Sequence, residues 1–459
     1  MPGTLSPAAL SAAVKAGTID TVLVAAVDMQ GRLMGKRFHA QFFVDGGWEE
    51  THCCNYLLAT DMEMTTVQGY KATSWAAGYG DYVMKPDMAT LRPLPWLPGT
   101  ALVIADLLDH HTHEPVPHSP RAILKRQVER ARALGFEPMM ATELEFYIFE
   151  NSFESVRDDL RDNGSIRGLR PISAYNEDYH IFQTTKEEAL MRAVRNGLHG
   201  AGIPVENSKG EAEAGQHELN YRYSDALDTA DNHTIVKTAI KDIAHAQGRS
   251  VTFMAKYDHR RAGSSAHVHQ SLRGTDGAAL FAGDGPHGMS DLMGRFLAGQ
   301  LTHAAECTAF LAPYVNSYKR FCTGMFAPTK AVWSCDNRTA GFRVCGADTN
   351  AVRVECRIPG SDANPYLACA ALLAAGLAGI GGGYDLEPEL TGDMYRAEGI
   401  REIPKTLRDA AVALDGSAML RAAFGSEVID HYLHAARWEI AETDRVVTDF
   451  ELQRLLERA

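Results

Sequence analysis

The stretch ATELEFYIFE, residues 141–150, indicates a β-strand with two chemically different faces. Side chains alternate between the faces of a strand, so Glu143 and Glu145 share one face with Tyr147. The apolar residues between and after them occupy the opposite face, which we expect to pack on the core. The acidic face should therefore border a cavity.

Two further segments repeat this alternation with other polar side chains. GSSAHVHQSL places His267 and His269 on one face, and VRVECRI does the same for Arg353, Glu355 and Arg357. An E-x-E or H-x-H pattern alone is more typical of a solvated strand, but together the three strands indicate one shared cavity. Carboxylates with an occasional imidazole suit Mg²⁺ or Mn²⁺, and arginines hold phosphate or carboxylate groups.

The bulk composition restricts the ligands. A length of 459 residues favours two domains. The net charge of -13 argues against nucleic acid and anionic membranes as partners. An anionic ligand must therefore meet a local cluster of arginines.

Cysteine usage and hydropathy indicate a cytoplasmic protein. The eight cysteines form no C-x-x-C pair, which is typical of a reducing compartment. The N-terminal residues MPGTLSPAAL lack the pattern of a signal peptide. The apolar run at 367–383 is short and rich in Ala and Gly, so we interpret it as a buried helix and not as a membrane span.

The order of elements predicts an α+β fold in two domains. The segment 21–38 indicates a β-hairpin with its turn at Gln30 and Gly31, and 101–108 indicates a further strand. A His- and Pro-rich segment follows, so we place a small β-rich domain at 15–115 and a larger domain at 116–459.

Helices and strands alternate in the larger domain. Ser119 and Pro120 predict the start of a helix that ends at Leu134, and Thr185 with Glu188 predicts a capping box. Strands are predicted at 139–150, 203–220 and 249–257, and helices at 186–199, 228–247, 290–311, 364–380 and 405–459.

Six ordered motifs resemble the signatures of glutamine synthetases, and the resemblance runs from about residue 21 to the end. They are E-L-E, E-A-E-A-G-Q-H-E, G-S-S-A-H-V-H-Q-S, S-Y-K-R, N-R-T-A-G-F-R and R-V-E-C-R-I-P-G-S-D-A-N-P-Y-L. The resemblance implies an N-terminal β-grasp domain and a C-terminal catalytic domain with a curved antiparallel sheet flanked by helices. It also implies a dodecamer whose active sites lie between subunits.

The resemblance assigns roles to individual residues. It makes Glu145, Glu211 and Glu218 one metal site, and Glu143, His267 and Glu355 the other, for Mg²⁺ or Mn²⁺. It puts Glu206, His269, Ser271 and Arg353 near ATP, and Gly263, Arg320, Arg338 and Arg357 near glutamate. Arg338 with Arg343 would face the transferring phosphate. The motif spacing selects Glu211 over Glu213, and Ala214 replaces the usual proline.

The implied reaction joins the γ-carboxyl of glutamate to an amine. A carboxylate is a poor electrophile, so ATP first converts it to an acyl phosphate, which the amine then attacks. The intermediate hydrolyses in water, so a closing lid is expected, and the segment 321–328 with Gly324 is our candidate.

The chain departs from ammonia-using members at the amine subsite. Phe326 stands where they have a glutamate, and the D-G-S-S loop is missing, with Asp61 and Glu63 as candidate substitutes. Both losses favour a larger amine, such as ethanolamine, an alkylamine or a polyamine. A true glutamine synthetase and a non-catalytic relative remain as alternatives. Tyr395 lies where some members are modified, but its context differs, so we interpret it as an unmodified loop residue.

Overall fold

The computed structural model describes residues 4–166 and 168–459 and has an α+β fold with two β-sheets. The first sheet is formed in the N-terminal part of the chain. The helices and strands of this part are α1 (Pro7–Lys15), β1 (Thr21–Val27), β2 (Leu33–His39), α2 (Ala40–Phe42), β3 (Thr51–Cys54), β4 (Asp81–Pro86), β5 (Arg92–Pro93) and β6 (Thr100–Asp109). The strand order is β2-β1-β6-β4-β3, and β5 pairs with β6.

The predicted N-terminal hairpin is confirmed. β1 and β2 pair antiparallel with Thr21 opposite His39, and the connecting turn contains Gly31 at φ 80°. The same β1 pairs in parallel with β6 on its other side. The turn also meets the C-terminal part of the chain, because the Asn364 side-chain amide donates to the backbone carbonyls of Asp28 and Met29.

The second sheet positions the polar strand faces. Its strands are β7 (Phe136–Phe149), β8 (Val205–Gly210), β9 (Gln216–Tyr221), β10 (Ser224–Asp225), β11 (Ser250–Thr252), β12 (Ala266–Gly274), β13 (Trp333–Cys335), β14 (Phe342–Cys345) and β15 (Arg353–Cys356). The order is β13-β14-β15-β12-β7-β9-β8, with β10 and β11 on β7. Only β13 and β14 pair in parallel among these strands; the other described pairs are antiparallel.

Helices make up much of the rest of the C-terminal part, and some of them contact this sheet. They are α3 (Pro120–Ala133), α4 (Phe153–Asn163), α5 (Ile181–Thr185), α6 (Glu188–Gly200), α7 (Ala226–Ala246), α8 (Asp291–Thr302), α9 (Ala304–Leu311), α10 (Pro365–Gly382), α11 (Leu407–Asp415), α12 (Ala418–Phe424), α13 (Ser426–Asp444) and α14 (Asp449–Leu455). The predicted helical tail at 405–459 consists of four helices, α11 to α14.

The predicted capping box at Thr185 and Glu188 is wrong. Thr185 ends the short helix α5, and its hydroxyl donates to the Ile181 carbonyl at 2.8 Å. Glu187 is the N-cap residue of α6 and forms no side-chain capping bond, because its carboxylate contacts His217. The predicted strand at 249–257 forms only over Ser250–Thr252.

The apolar helix α10 lies in the core, as predicted. It is long and apolar enough to cross a membrane, but 78% of its length is buried inside the protein. Gly379 lies so close to α8 that an added Cβ would be 2.1 Å from the Arg295 carbonyl oxygen. The helix therefore packs backbone against backbone, which explains its small residues.

A buried arginine joins the N-terminal part of the chain to two helices of the C-terminal part. Arg121 of α3 pairs with Asp106 at 2.7 Å and with Asp87 at 2.9 Å, both in the N-terminal part. It also pairs with Asp231 of α7 at 2.9 Å, and the Tyr366 hydroxyl donates to the same carboxylate. The side chains of Arg121 and Asp231 are each 3% exposed, so this contact is shielded from solvent.

We expect Arg121→Met to destabilise the protein by about 3–5 kcal/mol, because the buried carboxylate of Asp231 would lose its cation. Lys125→Met is the matched control. Lys125 pairs with Asp106 at 2.5 Å, but its side chain is 30% exposed, so its loss should cost about 1 kcal/mol or less. Urea denaturation measures both, and equal effects of the two substitutions would contradict the prediction.

Candidate active site

The acidic face predicted from the sequence borders a cavity of about 370 Å³, here called the acidic cavity. It is lined by Glu143, Glu145, Glu211, Glu218, Gly263, His267, Phe326, Arg338, Arg343 and Arg357, among others. The sheet register explains this convergence, because Glu143 lies opposite His267, and Glu145 lies opposite Glu218. Adjacent strands therefore bring residues that are distant in sequence to one side of the sheet.

The first candidate metal centre is the three-carboxylate cluster of Glu145, Glu211 and Glu218. One carboxylate oxygen of each lies within 4.8 Å of the others. A backbone hydrogen bond fixes the Glu145 carboxylate, because the Ser265 N–H donates to it at 2.8 Å. Burial and the neighbouring Glu211 and Glu218 raise the pKa of Glu145, and burial with Glu143 and Glu211 raises the pKa of Glu218 to about 8.

The second candidate centre is the histidine cluster of Glu143, His267 and Glu355. His267 Nδ1 lies 3.0 Å from one oxygen of Glu143 and 3.5 Å from one of Glu355. Burial and the Arg357 guanidinium lower the pKa of His267, so the ring is neutral at pH 7. Burial opposes the ionisation of Glu355, but Arg357, His267 and His269 outweigh it and lower its pKa to about 2.

Both clusters fit divalent cations. Three carboxylates at this distance repel one another, and in the histidine cluster two carboxylates face one imidazole. A cation would satisfy both arrangements. Ligand sets of three carboxylates, or of two carboxylates with one imidazole, are those that Mg²⁺ and Mn²⁺ accept.

Arginines lie beside the histidine cluster. Arg343 pairs with one oxygen of Glu355 at 3.1 Å, and Arg357 contacts the other oxygen. The Nε atoms of Arg343 and Arg357 are buried and have no hydrogen-bond partner among the described residues. Arg338 lines the same cavity. These guanidinium groups can bind an anionic substrate against the clusters.

Arg320 occupies a different place from the other predicted glutamate-binding arginines. It is 1% exposed, lies beneath the acidic cavity, and donates to the Ser265 hydroxyl at 3.0 Å and to the Ile358 carbonyl. A Cβ at Gly263 would lie 2.3 Å from Arg320 Cγ, so glycine lets the two segments approach closely. Within the described contacts, Arg320 supports the cavity floor.

A second cavity of about 550 Å³ adjoins the acidic cavity and shares Glu143 with it. It contains every residue predicted near the nucleotide, namely Glu206, His269, Ser271 and Arg353. His269 Nε2 contacts Glu143 at 2.8 Å, and its Nδ1 accepts from Arg353 Nε at 3.1 Å. Glu143 therefore belongs both to the lining of this adjoining cavity and to the histidine cluster.

The predicted amine-subsite residues are divided between two places. Phe326 lines the acidic cavity, with 57% of its surface exposed and a left-handed backbone at φ 54°. Asp61 lines a separate cavity of about 70 Å³ and accepts from Trp438 Nε1 at 3.2 Å. Glu63 is exposed next to this region. Within one chain, neither acid lines the acidic cavity with Phe326.

The structure adds residues that the sequence did not indicate. Asp178 and Tyr179 line the acidic cavity from the segment before α5. Lys209 lies 3.7 Å from the Asp178 carboxylate and 4.7 Å above the Tyr179 ring. The run NEDYH, residues 176–180, belongs to no periodic segment. Only its acidic and aromatic composition could have indicated that it lines the site.

Two carboxylate-rich clusters and several arginines around one cavity define a site for cation-assisted chemistry on anionic substrates. The chain belongs to the glutamine synthetase family, because residues 117–455 match the model of the glutamine synthetase catalytic domain. The family resemblance inferred from the six sequence motifs is thereby confirmed.

Similar proteins include members that act on amines. The chain is 48% identical to a gamma-glutamylethanolamide synthetase of Streptomyces coelicolor, over 98% of this chain and 95% of that one. It is 36% identical to a glutamate–isopropylamine ligase of a Pseudomonas species, over 96% and 95%. A solved GmaS/ADP complex is 28% identical, with a TM-score of 0.84 over 98% of this chain and 99% of that chain.

Proposed function

We propose that this enzyme joins the γ-carboxyl of glutamate to a small primary amine, using ATP and passing through γ-glutamyl phosphate. The observation that supports it most is the acidic cavity, where two cation clusters, three arginines and Phe326 meet. The names of the two amine-ligase relatives agree with this substrate class.

The two connected cavities suit an ordered transfer of phosphate. ATP in the adjoining cavity would direct its terminal phosphate past Glu143 toward glutamate in the acidic cavity. When bound, Mg²⁺ or Mn²⁺ ions on the two clusters would neutralise the phosphate oxygens. Arg338 and Arg343 would stabilise the transferring phosphoryl group, and Arg357 would orient the glutamate. The segment 321–328 would be the lid. Its backbone is left-handed at Gly324 and Phe326, which agrees with a turn that could close over the site.

The amine subsite is proposed to lie between Phe326, Asp178 and Tyr179. Asp178 is the one carboxylate among the described lining residues of the acidic cavity that belongs to neither cation cluster. A primary amine arrives protonated, so this carboxylate can attract its ammonium group, while the two aromatic rings contact its carbon chain. Lys209 would weaken the attraction between Asp178 and the amine, because its own ammonium group lies near the same carboxylate.

We expect Asp178→Asn to raise the KM for the amine about tenfold while leaving the KM values for ATP and glutamate within about twofold. Asp162→Asn is the control, because Asp162 is exposed on α4 and pairs only with Arg161 in the described contacts. Initial rates with each substrate varied in turn provide the measurement. A uniform rise in all three KM values would contradict a specific role in amine binding.

We also propose a β-grasp domain at 15–115, a catalytic domain at 116–459 and a cytoplasmic dodecamer. Asp61 and Glu63 do not line the acidic cavity of their own chain, so a neighbouring N-terminal domain would supply them to complete the site. Light scattering together with activity tests this assembly. A fully active monomer would contradict it.

The reaction itself is tested with a panel of amines, glutamate, ATP and Mg²⁺, scored for phosphate release and for the γ-glutamyl amide by mass spectrometry. Ethanolamine, isopropylamine, putrescine and ammonia form the panel. Turnover with a primary amine supports the proposal, and exclusive turnover with ammonia supports a true glutamine synthetase instead. Absence of phosphate release with all of them would favour a non-catalytic relative.

A further inference from the structure

A separate group of side chains that could ligate a metal ion lies behind the sheet, away from both cation clusters. It consists of Glu177, Glu187 and His217, here called the buried Glu–Glu–His cluster. One ligand atom of each lies within 4.8 Å of the others, and the residues are 0%, 3% and 1% exposed. His217 follows Gln216 and precedes Glu218 on β9, so its side chain points to the opposite face from the acidic cavity.

The contacts of this cluster leave carboxylate oxygens without partners. His217 Nε2 contacts one oxygen of Glu187 and lies 3.6 Å from Oε2 of Glu177. Glu177 Oε2 and Glu187 Oε1 are buried and accept no hydrogen bond from the residues that the structure describes. In the part of the chain that the structure describes, neither carboxylate forms an ion pair with a lysine or arginine. Two buried carboxylates therefore share a single imidazole.

The surrounding backbone is shaped to receive Glu177. The Gly215 N–H donates to Glu177 Oε1 at 3.0 Å and orients the other oxygen toward His217. A Cβ at Gly210 would lie 2.5 Å from Glu177 Cβ, so glycine makes room for this side chain against the β8–β9 pair. Burying two carboxylates without full compensation is strongly unfavourable, and apolar side chains at these core positions would avoid that cost.

We propose that the buried Glu–Glu–His cluster binds a Zn²⁺ ion with a structural role. One imidazole and two carboxylates are ligands that Zn²⁺ accepts, and a neutral imidazole would leave the bound site without net charge. Zn²⁺ with bonds of about 2.0 Å holds tetrahedral ligands about 3.3 Å apart, close to the 3.6 Å between His217 and Glu177. Closing the site requires His217 and Glu187, which are in hydrogen-bond contact, to separate slightly, and a water molecule to supply the fourth tetrahedral ligand.

The bound ion would fix one wall of the acidic cavity. Glu177 immediately precedes Asp178 and Tyr179, which line that cavity, and His217 immediately precedes Glu218 of the three-carboxylate cluster. A cation between them ties the segment before α5 and the N-terminus of α6 to β9. The proposed site acts by positioning and does not depend on which amine the enzyme uses.

The test is the zinc content of the whole protein after loading with Zn²⁺ and dialysis against a chelator in excess Mg²⁺. We expect the wild type to retain one Zn²⁺ per chain, because the cluster is buried, and His217→Gln to lose that equivalent. His245→Gln is the control, since His245 pairs with Glu154 on the surface with 60% of its side chain exposed. Retention of zinc should also raise the thermal midpoint of the wild type and leave that of His217→Gln unchanged.

Two results would overturn the proposal. One is wild-type protein that retains no zinc, and the other is His217→Gln protein that retains as much zinc as the wild type. If His217→Gln fails to fold, anomalous diffraction at the zinc edge from wild-type crystals decides the matter. A peak within bonding distance of all three side chains supports the site, and its absence means that the carboxylates share a proton instead.

Discussion

Replacing Glu211 with glutamine is expected to lower kcat on the order of a thousandfold, equivalent to about 4 kcal/mol of transition-state stabilisation. Glutamine keeps the size of the side chain but removes the negative charge from the three-carboxylate cluster. The phosphate oxygens would then lose much of their cationic compensation. Steady-state kinetics at saturating ATP, glutamate and amine measure the effect, together with Mg²⁺ affinity, which should fall in parallel.

Glu213→Gln is the matched control, because it changes an identical residue two positions further along the same segment. Glu213 pairs with Arg261 at 2.7 Å and accepts from the Ala262 N–H, so it belongs to neither cation cluster. We expect its loss to lower kcat less than tenfold and to leave Mg²⁺ affinity unchanged. Equal losses at the two positions would contradict the assignment of Glu211 to a metal site.

Strand periodicity predicted the acidic cavity because the relevant signal is local. Alternation in β7, β12 and β15 fixes which side chains share a face, and antiparallel pairing brings His267 opposite Glu143 and Glu355 opposite His269. The sequence alone could not pair these strands, and the family motifs supplied that order. The residues predicted for the two metal centres accordingly come together as two clusters in the structure.

Residues outside periodic segments were predicted less well. Asp178 and Tyr179 reach the acidic cavity through an irregular segment, where no spacing rule links sequence to direction. The prediction of a capping box was wrong because Glu187, and not Thr185, is the N-cap residue of α6. Glu187 belongs to a buried cluster that could not be recognised from the sequence. Local patterns cannot report such tertiary contacts.

The aromatic residue at position 326 is expected to make a small primary amine a better substrate than ammonia. Phe326 cannot act as a base, but it presents an apolar surface to the acidic cavity. A carbon chain gains from contact with that surface, whereas ammonia has no carbon chain and gains little. We expect ethanolamine or an alkylamine to exceed ammonia in kcat/KM by about tenfold or more, equivalent to about 1.4 kcal/mol.

Phe326→Glu should shift this preference toward ammonia, because a carboxylate can both attract an ammonium ion and accept its proton. The side chain is 57% exposed, so the change should leave the fold intact. Phe326→Leu is the control, since it keeps an apolar side chain without adding charge, and it should retain the preference for the primary amine. The ratio of kcat/KM for amine and ammonia is compared in all three proteins. Equal use of ammonia and primary amines by the wild type would contradict the prediction and favour a true glutamine synthetase.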